Sequence, residues 1–303
     1  MNQSETNSSR REFLRTGAAA GLWTLTTPLA ANETTDVSYS LGCYTRPWDK
    51  HDYRVALDGI AEAGFRYAGL MTAKGKSWVM ITVDSTPDEV VAIAEEVKQR
   101  DLETLSIYGG NFPVARSVKA GIAGLKTLID HCVICDCPNL LLGGTGNAQL
   151  VNDYYQVVAE CCDYAADQGV GLSVKPHGGK NATGAECRKI IQQVSHPNFR
   201  IWYDPGNIYF YSEGQRDPLT DCPDVDGLVV GMSIKDYLPP KNVMVTPGQG
   251  QVRFEPLITR LREGGFTQGP VLVECLKPGT LTELLVEAQQ ARAFLRTLLE
   301  SIA

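Results

Sequence analysis

The sequence predicts an α/β protein, a (β/α)8 TIM barrel that forms a single domain after an N-terminal signal peptide. Eight short apolar runs alternate with amphipathic helical patterns from residue 38 onward. None of these runs leads into a Gly-rich dinucleotide fingerprint, which favours a closed barrel over an open doubly wound sheet. The chain has 303 residues, and the roughly 270 that follow the signal are the usual size of one such barrel.

Residues 1–32 have the features of a twin-arginine export signal. The pattern Ser-Arg-Arg-Glu-Phe-Leu-Arg begins at Ser9 and precedes a mildly apolar stretch over 17–29. That stretch contains several Thr and is too short to cross about 30 Å of hydrocarbon, so no stable membrane span is predicted. We expect twin-arginine export to the periplasm, cleavage near residues 30–32, and a barrel over 38–303. A disordered basic N-terminus is the alternative.

The strands are predicted where apolar runs end in turn residues. In chain order they cover 40–44, 67–71, 103–108, 139–143, 171–175, 200–204, 229–234 and 271–275. The helices are predicted where apolar residues recur every three or four positions. They cover 51–64, 86–100, 116–135, 149–168, 183–194, 254–264 and 280–301. The sixth crossover, over 211–225, shows only a weak helical turn.

Composition and cysteine placement exclude several classes of protein. A net charge of −7 with 28 Lys and Arg argues against nucleic acid as a partner, which would need a concentrated basic face. The nine cysteines fall on apolar helix faces and strand ends rather than in a dense disulfide framework. Cys132, Cys135 and Cys137 resemble a metal cluster, but no second pair completes a tetrahedral site. Buried structural thiols are therefore predicted.

Charged residues end three of the apolar runs. Lys175, Asp204 and Glu274 close the fifth, sixth and eighth runs, and a barrel places its active site at these carboxyl ends. Burying unpaired charges there is costly, so they need mutual pairing, a cation or a polar ligand. The same ends carry further polar or aromatic residues, as expected for a sugar-sized polyol site: Arg46, Trp48, Tyr108, Asn147, His177, Asn207, Ser233, Lys235 and Asp236.

Several of these residues have two interpretations. Lys175, Asp204 and Glu274 could form a closed ion-pair network that only holds the top of the barrel together. Trp48, with Tyr44, could offer a flat apolar face to a sugar ring or could pack under a loop. Lys235, followed by Asp236, could bind a phosphate or an anionic sugar, or could form an internal salt bridge at its strand end.

The chain resembles the xylose isomerase-like TIM barrel superfamily, which holds sugar-phosphate isomerases and epimerases, inosose dehydratases and endonuclease IV. The resemblance covers about residues 40–300 and is carried by motifs that follow the last four strands. These are Val174-Lys-Pro-His-Gly-Gly179, Tyr203-Asp-Pro-Gly-Asn207, Ser233-Ile-Lys-Asp-Tyr237, Pro247-Gly-Gln-Gly-Gln-Val-Arg-Phe254 and Val273-Glu274. Four His and an acidic chain do not suit the endonuclease branch.

The resemblance implies one divalent metal (Mn, Mg or Zn) held by Glu, Asp, His and Glu after the fifth to eighth strands. Asp204 and Glu274 keep two of these ligands. Lys175 stands in the first Glu position and Ser233 in the His position, and an ammonium repels a dication. Lys175 could instead supply the positive charge of the missing metal.

The resemblance thus implies a sugar isomerase-, epimerase- or lyase-like enzyme that moves a proton next to a carbonyl, and the N-terminal signal predicts that it is exported. Lys175, His177 and Glu274 are the expected catalytic residues. The expected substrate-binding residues are Trp48, Tyr108, Asp204, Asn207 and Lys235. A non-catalytic carbohydrate-binding barrel that has lost the metal site is the alternative. A small carbohydrate is the expected partner; relatives of this barrel often form dimers, but no self-complementary face is evident in the sequence.

Overall fold

The computed structural model describes residues 38–302, and the predicted signal over 1–32 lies outside the described residues. Eight parallel strands close into one barrel in chain order, because β8 pairs with β1. This confirms the predicted (β/α)8 fold. The strands are β1 Ser38–Tyr44, β2 Tyr67–Leu70, β3 Glu103–Tyr108, β4 Asn139–Leu142, β5 Gly171–Val174, β6 Phe199–Tyr203, β7 Val229–Ile234 and β8 Gln268–Val273.

Helices pack around the strands as an outer layer. They are α1 Tyr53–Glu62, α2 Pro87–Lys98, α3 Val118–Ile134, α4 Val151–Asp167, α5 Gly184–Val194, α6 Pro205–Tyr211, α7 Pro218–Asp221, α8 Phe254–Glu263 and α9 Leu281–Ile302. Local sequence fixes several starts. Thr86 with Glu89 and Thr183 with Glu186 form capping boxes at α2 and α5, which satisfy backbone N–H groups that the helix itself leaves free.

The sixth crossover is more helical than the sequence pattern indicated. Helix α6 begins directly after Asp204, whose carboxylate accepts a hydrogen bond from the Asn207 backbone N–H. Asp followed by Pro is a strong helix-start signal, because Asp caps the N-terminus and Pro suits the first turn. The apolar periodicity is too short here to reveal the helix, whereas the capping signal would have done so.

Large aromatic rings fill the barrel interior opposite glycines. A Cβ placed on Gly69 would lie 2.2 Å from the Tyr44 ring, and one on Gly231 would lie 2.3 Å from the Trp202 ring. Both glycines adjoin a shift in strand register, between β2 and β3 and between β6 and β7. The interior is therefore a packed core, and polar chemistry is confined to its carboxyl end.

All nine cysteines are buried within the described part of the chain, which confirms the prediction of buried thiols. Burial raises the pKa of the Cys135 thiol to about 12, with the nearby Cys137 as the second cause. Among residues 38–302, no helix has the length and apolar character that a membrane span requires.

Candidate active site

Five charged side chains meet at the carboxyl ends of the strands. Lys175 Nζ lies 2.8 and 3.0 Å from the two oxygens of Glu274 and 3.3 Å from Asp204 Oδ2. Lys235 Nζ lies 2.8 Å from Asp204 Oδ2 and 2.7 Å from Glu274 Oε1. Arg46 Nη1 donates to Glu274 Oε1 at 2.8 Å. We call these five residues the charged cluster; it holds three cations and two carboxylates.

The strands place these side chains on one ring. Lys175 extends β5, because its backbone N–H still donates to Leu142 at the end of β4. Glu274 extends β8 in the same way through its N–H to Ile234 at the end of β7. Asp204 is fixed as the N-cap of α6. All three lie just beyond the ladder, where their charges meet over the apolar interior, as predicted from the ends of the apolar runs.

Asn207 fixes the position of Lys235. Its side-chain Oδ1 accepts from Lys235 Nζ at 3.0 Å, and its Nδ2 donates to the Pro176 carbonyl at 2.7 Å. Gly206 makes room for this arrangement, because a Cβ there would lie 2.6 Å from Lys235 Cγ. Asn207, expected to bind substrate, is therefore a positioning residue with both polar atoms of its side chain engaged.

Lys235 pairs with the charged cluster and not with Asp236. The Asp236 carboxylate instead accepts backbone N–H bonds from Tyr237, Gly248, Gly250 and Val252 at 2.8–3.0 Å. These four bonds hold the loop between β7 and α8 against the barrel. The sequence alternative of an internal salt bridge for Lys235 is confirmed, with Asp204 and Glu274 as its partners and not the neighbouring Asp236.

The two buried lysines have opposite electrostatic environments. Burial lowers the pKa of Lys175, and the neighbouring Lys235 ammonium lowers it further, which together outweigh the attraction of Glu274. Burial also lowers the pKa of Lys235, but Asp204 and Glu274 outweigh it and hold this pKa above its ordinary value. Paired groups with pKa values pushed apart are typical of proton-transfer sites.

Glu274 is held as a carboxylate. Burial raises its pKa, but the positive charges of Lys175, Lys235 and Arg46 outweigh burial and hold that pKa well below its usual range. Oε1 accepts from all three cations, whereas, among residues 38–302, Oε2 contacts only Lys175 Nζ. Oε2 is thus the oxygen with more remaining capacity to accept a proton.

A row of rings borders the charged cluster. Trp78, Tyr108, His177 and Tyr211 follow one another with ring centroids 5.9, 6.4 and 5.6 Å apart. We call these four the aromatic row. Lys175 Nζ lies 5.8 Å from the centre of the Tyr108 ring, within the range of a cation–π contact. The row begins at an open surface, since Trp78 is 59% exposed.

His177 stands in this row as a neutral imidazole. Burial lowers its pKa to about 3, and the Lys175 and Lys235 charges add to that effect. It therefore carries no proton to donate as imidazolium at neutral pH, and its ring nitrogens can accept or donate hydrogen bonds to hydroxyls. Tyr108 also stays protonated, because burial, with help from Glu274, raises its pKa to about 12.

Trp48 lies apart from this set. Its ring is 1% exposed and packs on α1, where a Cβ at Gly59 would lie 2.6 Å from it. Tyr44 fills the barrel interior and donates from its hydroxyl to Ser106 Oγ at 3.0 Å. Neither ring presents a free face to a sugar. Both Trp48 and Tyr44 are packing residues, which was the second of the two interpretations of the sequence.

Three residues at the site were not assigned by the sequence. Arg46 stood among the strand ends without a role, and Trp78 and Tyr211 lie in connections that show no periodic signal. A fourth, Asn181, joins two strand ends by donating to the carbonyls of Gly143 and Lys175 at 3.0 and 2.8 Å. An inventory of aromatic and amide residues in the connections after each strand would have found Trp78, Tyr211 and Asn181.

The charged cluster does not fit the divalent metal that the resemblance implied on Asp204 and Glu274. Each carboxylate has an ammonium within 2.8 Å, and a dication there would face two ammoniums and a guanidinium. Among residues 38–302, no group of three or more His, Cys, Asp or Glu side chains is arranged to hold a metal ion. Ser233, in the position of the His ligand, accepts instead from Trp202 Nε1 at 3.2 Å.

The sequence from residue 57 to 298 matches the family described as xylose isomerase-like TIM barrel. The chain belongs to this family. A search of curated proteins found no match.

Solved structures share the family fold at low identity. A xylose isomerase domain protein from Planctomyces limnophilus is 19% identical over 81% of this chain and 93% of its own, with a TM-score of 0.64. A D-allulose 3-epimerase from Methylomonas sp. in complex with D-allulose is 15% identical over 86% and 97%, with a TM-score of 0.67. An L-ribulose 3-epimerase is 14% identical over 86% and 95%, also with 0.67. The family member described here therefore has the fold of sugar epimerases and isomerase-like proteins.

Proposed function

We propose that this barrel is a sugar isomerase, epimerase or lyase that enolises a carbohydrate next to its carbonyl, with a buried lysine pair supplying the positive charge. The observation that carries the proposal is the contact of Lys175 and Lys235 with the same two carboxylates at 2.7–3.3 Å. The centre of the Tyr108 ring, in the aromatic row, lies 5.8 Å from Lys175 Nζ. Such preorganised cations stabilise an oxyanion as it develops. Sugar rings pack on the faces of aromatic side chains, and Trp78 offers one at the surface.

The reaction divides among several residues of the charged cluster. The carbonyl oxygen of the substrate binds at the two ammoniums. Glu274 Oε2 accepts the proton from the carbon next to the carbonyl, while the C–H electron pair forms the enediolate and the oxygen takes up the negative charge. Protonation of the same carbon from the other face, by an acid on that side, gives an epimer. Return of the proton to the neighbouring carbon, with transfer of the hydroxyl proton to the former carbonyl oxygen, gives an isomer.

His177 and Tyr108 serve the substrate hydroxyls. A neutral imidazole and a protonated phenol both donate and accept hydrogen bonds, so they can orient a polyol without adding charge. Asn207 and Asp204 act through Lys235, since both contact its Nζ.

Deuterium exchange tests the proposal whichever product the reaction gives. The protein is incubated in D2O with D-fructose, D-allulose, L-ribulose and methyl 3-keto-glucoside, and NMR follows C–H signals next to the carbonyl. We expect exchange in at least one sugar, and a loss of about 10²–10⁴-fold in both Lys175→Met and Glu274→Gln. Full turnover in both variants would refute the mechanism. Lys241→Met, at an exposed lysine, is the matched control.

The alternative is a barrel that binds a carbohydrate without transforming it. The engagement of both Glu274 oxygens in ion pairs favours this alternative, because a fully paired carboxylate can be purely structural. Saturable binding of a sugar, with no deuterium exchange in any sugar of the panel, would support binding over catalysis.

We also propose that residues 1–32 direct the folded barrel to the periplasm by the twin-arginine route. The motif around Arg10 and Arg11 supports this proposal. Replacement of both arginines by Lys is expected to retain the protein in the cytoplasm, as followed by cell fractionation. Unchanged export of that variant would contradict the assignment.

A further inference from the structure

The charged cluster has more cations than carboxylates. Its three cations, Arg46, Lys175 and Lys235, face two carboxylates, Asp204 and Glu274. This leaves one excess positive charge at the carboxyl end of the barrel, in a protein whose overall charge is −7. Four of the five side chains are almost fully buried, so solvent screens this charge weakly. A local field opposite in sign to the whole protein attracts anions to this one place.

Arg46 is the most exposed member of the charged cluster. Its side chain is 31% exposed, whereas those of Lys175 and Lys235 are 2% and 1% exposed. Within residues 38–302, its guanidinium makes one hydrogen bond, from Nη1 to Glu274. The remaining N–H donors of the fork match the geometry of a carboxylate, which arginine binds with two parallel hydrogen bonds.

Arg46 also lies next to the position assigned to the reacting carbonyl. Arg46 Nη1, Lys175 Nζ and Lys235 Nζ all lie within 3.0 Å of one atom, Glu274 Oε1. This spacing suits a ligand whose carboxylate, on Arg46, and whose carbonyl, at the two lysines, belong to neighbouring carbons. A uronic acid in its extended form, with these groups at opposite ends of the chain, does not meet that spacing.

We propose that the preferred substrate class is a keto sugar acid whose carboxylate is adjacent to the reacting carbonyl, with Arg46 as the residue that selects the carboxylate. This inference rests on the proposed function, because it places the carbonyl at the lysine pair. It assigns Arg46 a role in specificity, whereas Lys175, Lys235 and Glu274 act at the carbonyl.

A matched pair of ligands tests the inference. 2-Keto-D-gluconate is D-fructose with C1 oxidised to a carboxylate, so the two ligands share the carbonyl at C2 and the stereocentres at C3–C5. Affinity is measured by isothermal titration calorimetry, and exchange at C3 is measured separately in D2O. We expect 2-keto-D-gluconate to bind at least about tenfold more tightly than D-fructose, as one additional charged hydrogen-bonded contact would give.

Two variants separate Arg46 from general charge. Arg46→Gln is expected to remove the preference, while Arg66→Gln, at an exposed arginine paired with Glu103, is expected to keep it. Equal affinity for the two ligands, a preference that survives in Arg46→Gln, or binding of neither ligand would overturn the inference. Tighter binding of 2-keto-D-gluconate without exchange at C3 would support the role of Arg46 and refute the proposed reaction. Failure of the inference and failure of the proposed function can therefore be distinguished.

Discussion

Of the two buried lysines in the charged cluster, Lys235 is the one whose replacement by Met has the larger predicted cost in stability. Lys235 Nζ contacts Asp204 at 2.8 Å, Glu274 at 2.7 Å and Asn207 at 3.0 Å. Its removal leaves Asp204 Oδ2 with one cationic partner in the described part of the chain, Lys175 at 3.3 Å. Breaking a buried ion pair at one partner costs about 3–5 kcal/mol, because the other charge stays buried and poorly compensated.

Lys175→Met is expected to cost less than Lys235→Met. Glu274 would keep Lys235 and Arg46 as partners, and burial already opposes the Lys175 charge, as its lowered pKa indicates. We expect a loss of about 2 kcal/mol or less, which corresponds to net hydrogen-bond values.

Thermal unfolding followed by circular dichroism measures both effects. For a domain of this size, 3–5 kcal/mol corresponds to a fall in Tm of about 10 °C. Lys241→Met is the control, since Lys241 is half exposed and its Glu213 partner is 3.5 Å away, and such pairs contribute about 0–1 kcal/mol. A Tm of Lys235→Met equal to that of the control, or a larger fall in Lys175→Met, would refute the division of roles between the two lysines.

Three further predictions concern His177, Trp78 and Asp221. Burial lowers the pKa of His177 to about 3, so its Hε1 NMR signal is expected to stay constant between pH 5 and 8. Trp78→Ala is expected to raise the Kd for a bound sugar about fivefold or more without lowering Tm, while Trp78→Phe keeps most of the affinity. Burial raises the pKa of Asp221 to about 6, against opposing hydrogen bonds from Gly184 and Tyr203. Its protonation therefore contributes about 3 kcal/mol to the free energy of unfolding, a contribution that is complete below about pH 4 and lost as pH rises through 6. Comparison of the unfolding free energies of wild type and Asp221→Asn at pH 4 and at pH 7 measures this contribution.

Each of these predictions has a contrary outcome. A His177 signal that titrates near pH 6.5 would place the ring in contact with water or a carboxylate. Unchanged sugar affinity in Trp78→Ala would remove Trp78 from the binding surface. A difference between wild type and Asp221→Asn that is independent of pH from 4 to 7 would show that Asp221 keeps an ordinary pKa.

The fold was predictable because each strand and most helices carry their own pattern. Strand β3 and strand β7 occupy the residues that the sequence indicated, Glu103–Tyr108 and Val229–Ile234. Helix α6 escaped because seven residues are too few for apolar periodicity. Its Asp-Pro start was the available signal.

The candidate site was predictable in part, for a physical reason. Lys175, Asp204 and Glu274 end apolar runs, so barrel topology alone brings them together. The ion-pair partner of Lys235 depends on the direction of its side chain at the end of β7 and on the space next to Gly206. The apolar periodicity of the sequence gives information on neither. Trp48 was predicted to bind substrate because polar residues surround it in the sequence. Nothing in that pattern indicates that its ring packs on Gly59.

Deuterium exchange before and after EDTA, with elemental analysis of the same sample, tests the lysine-pair mechanism most directly. We predict that exchange next to the carbonyl continues at an unchanged rate after EDTA, with no stoichiometric divalent metal, because the lysine pair supplies the positive charge. Exchange that stops with EDTA in a protein that carried one metal per chain would contradict this mechanism and return the site to metal-assisted enolisation.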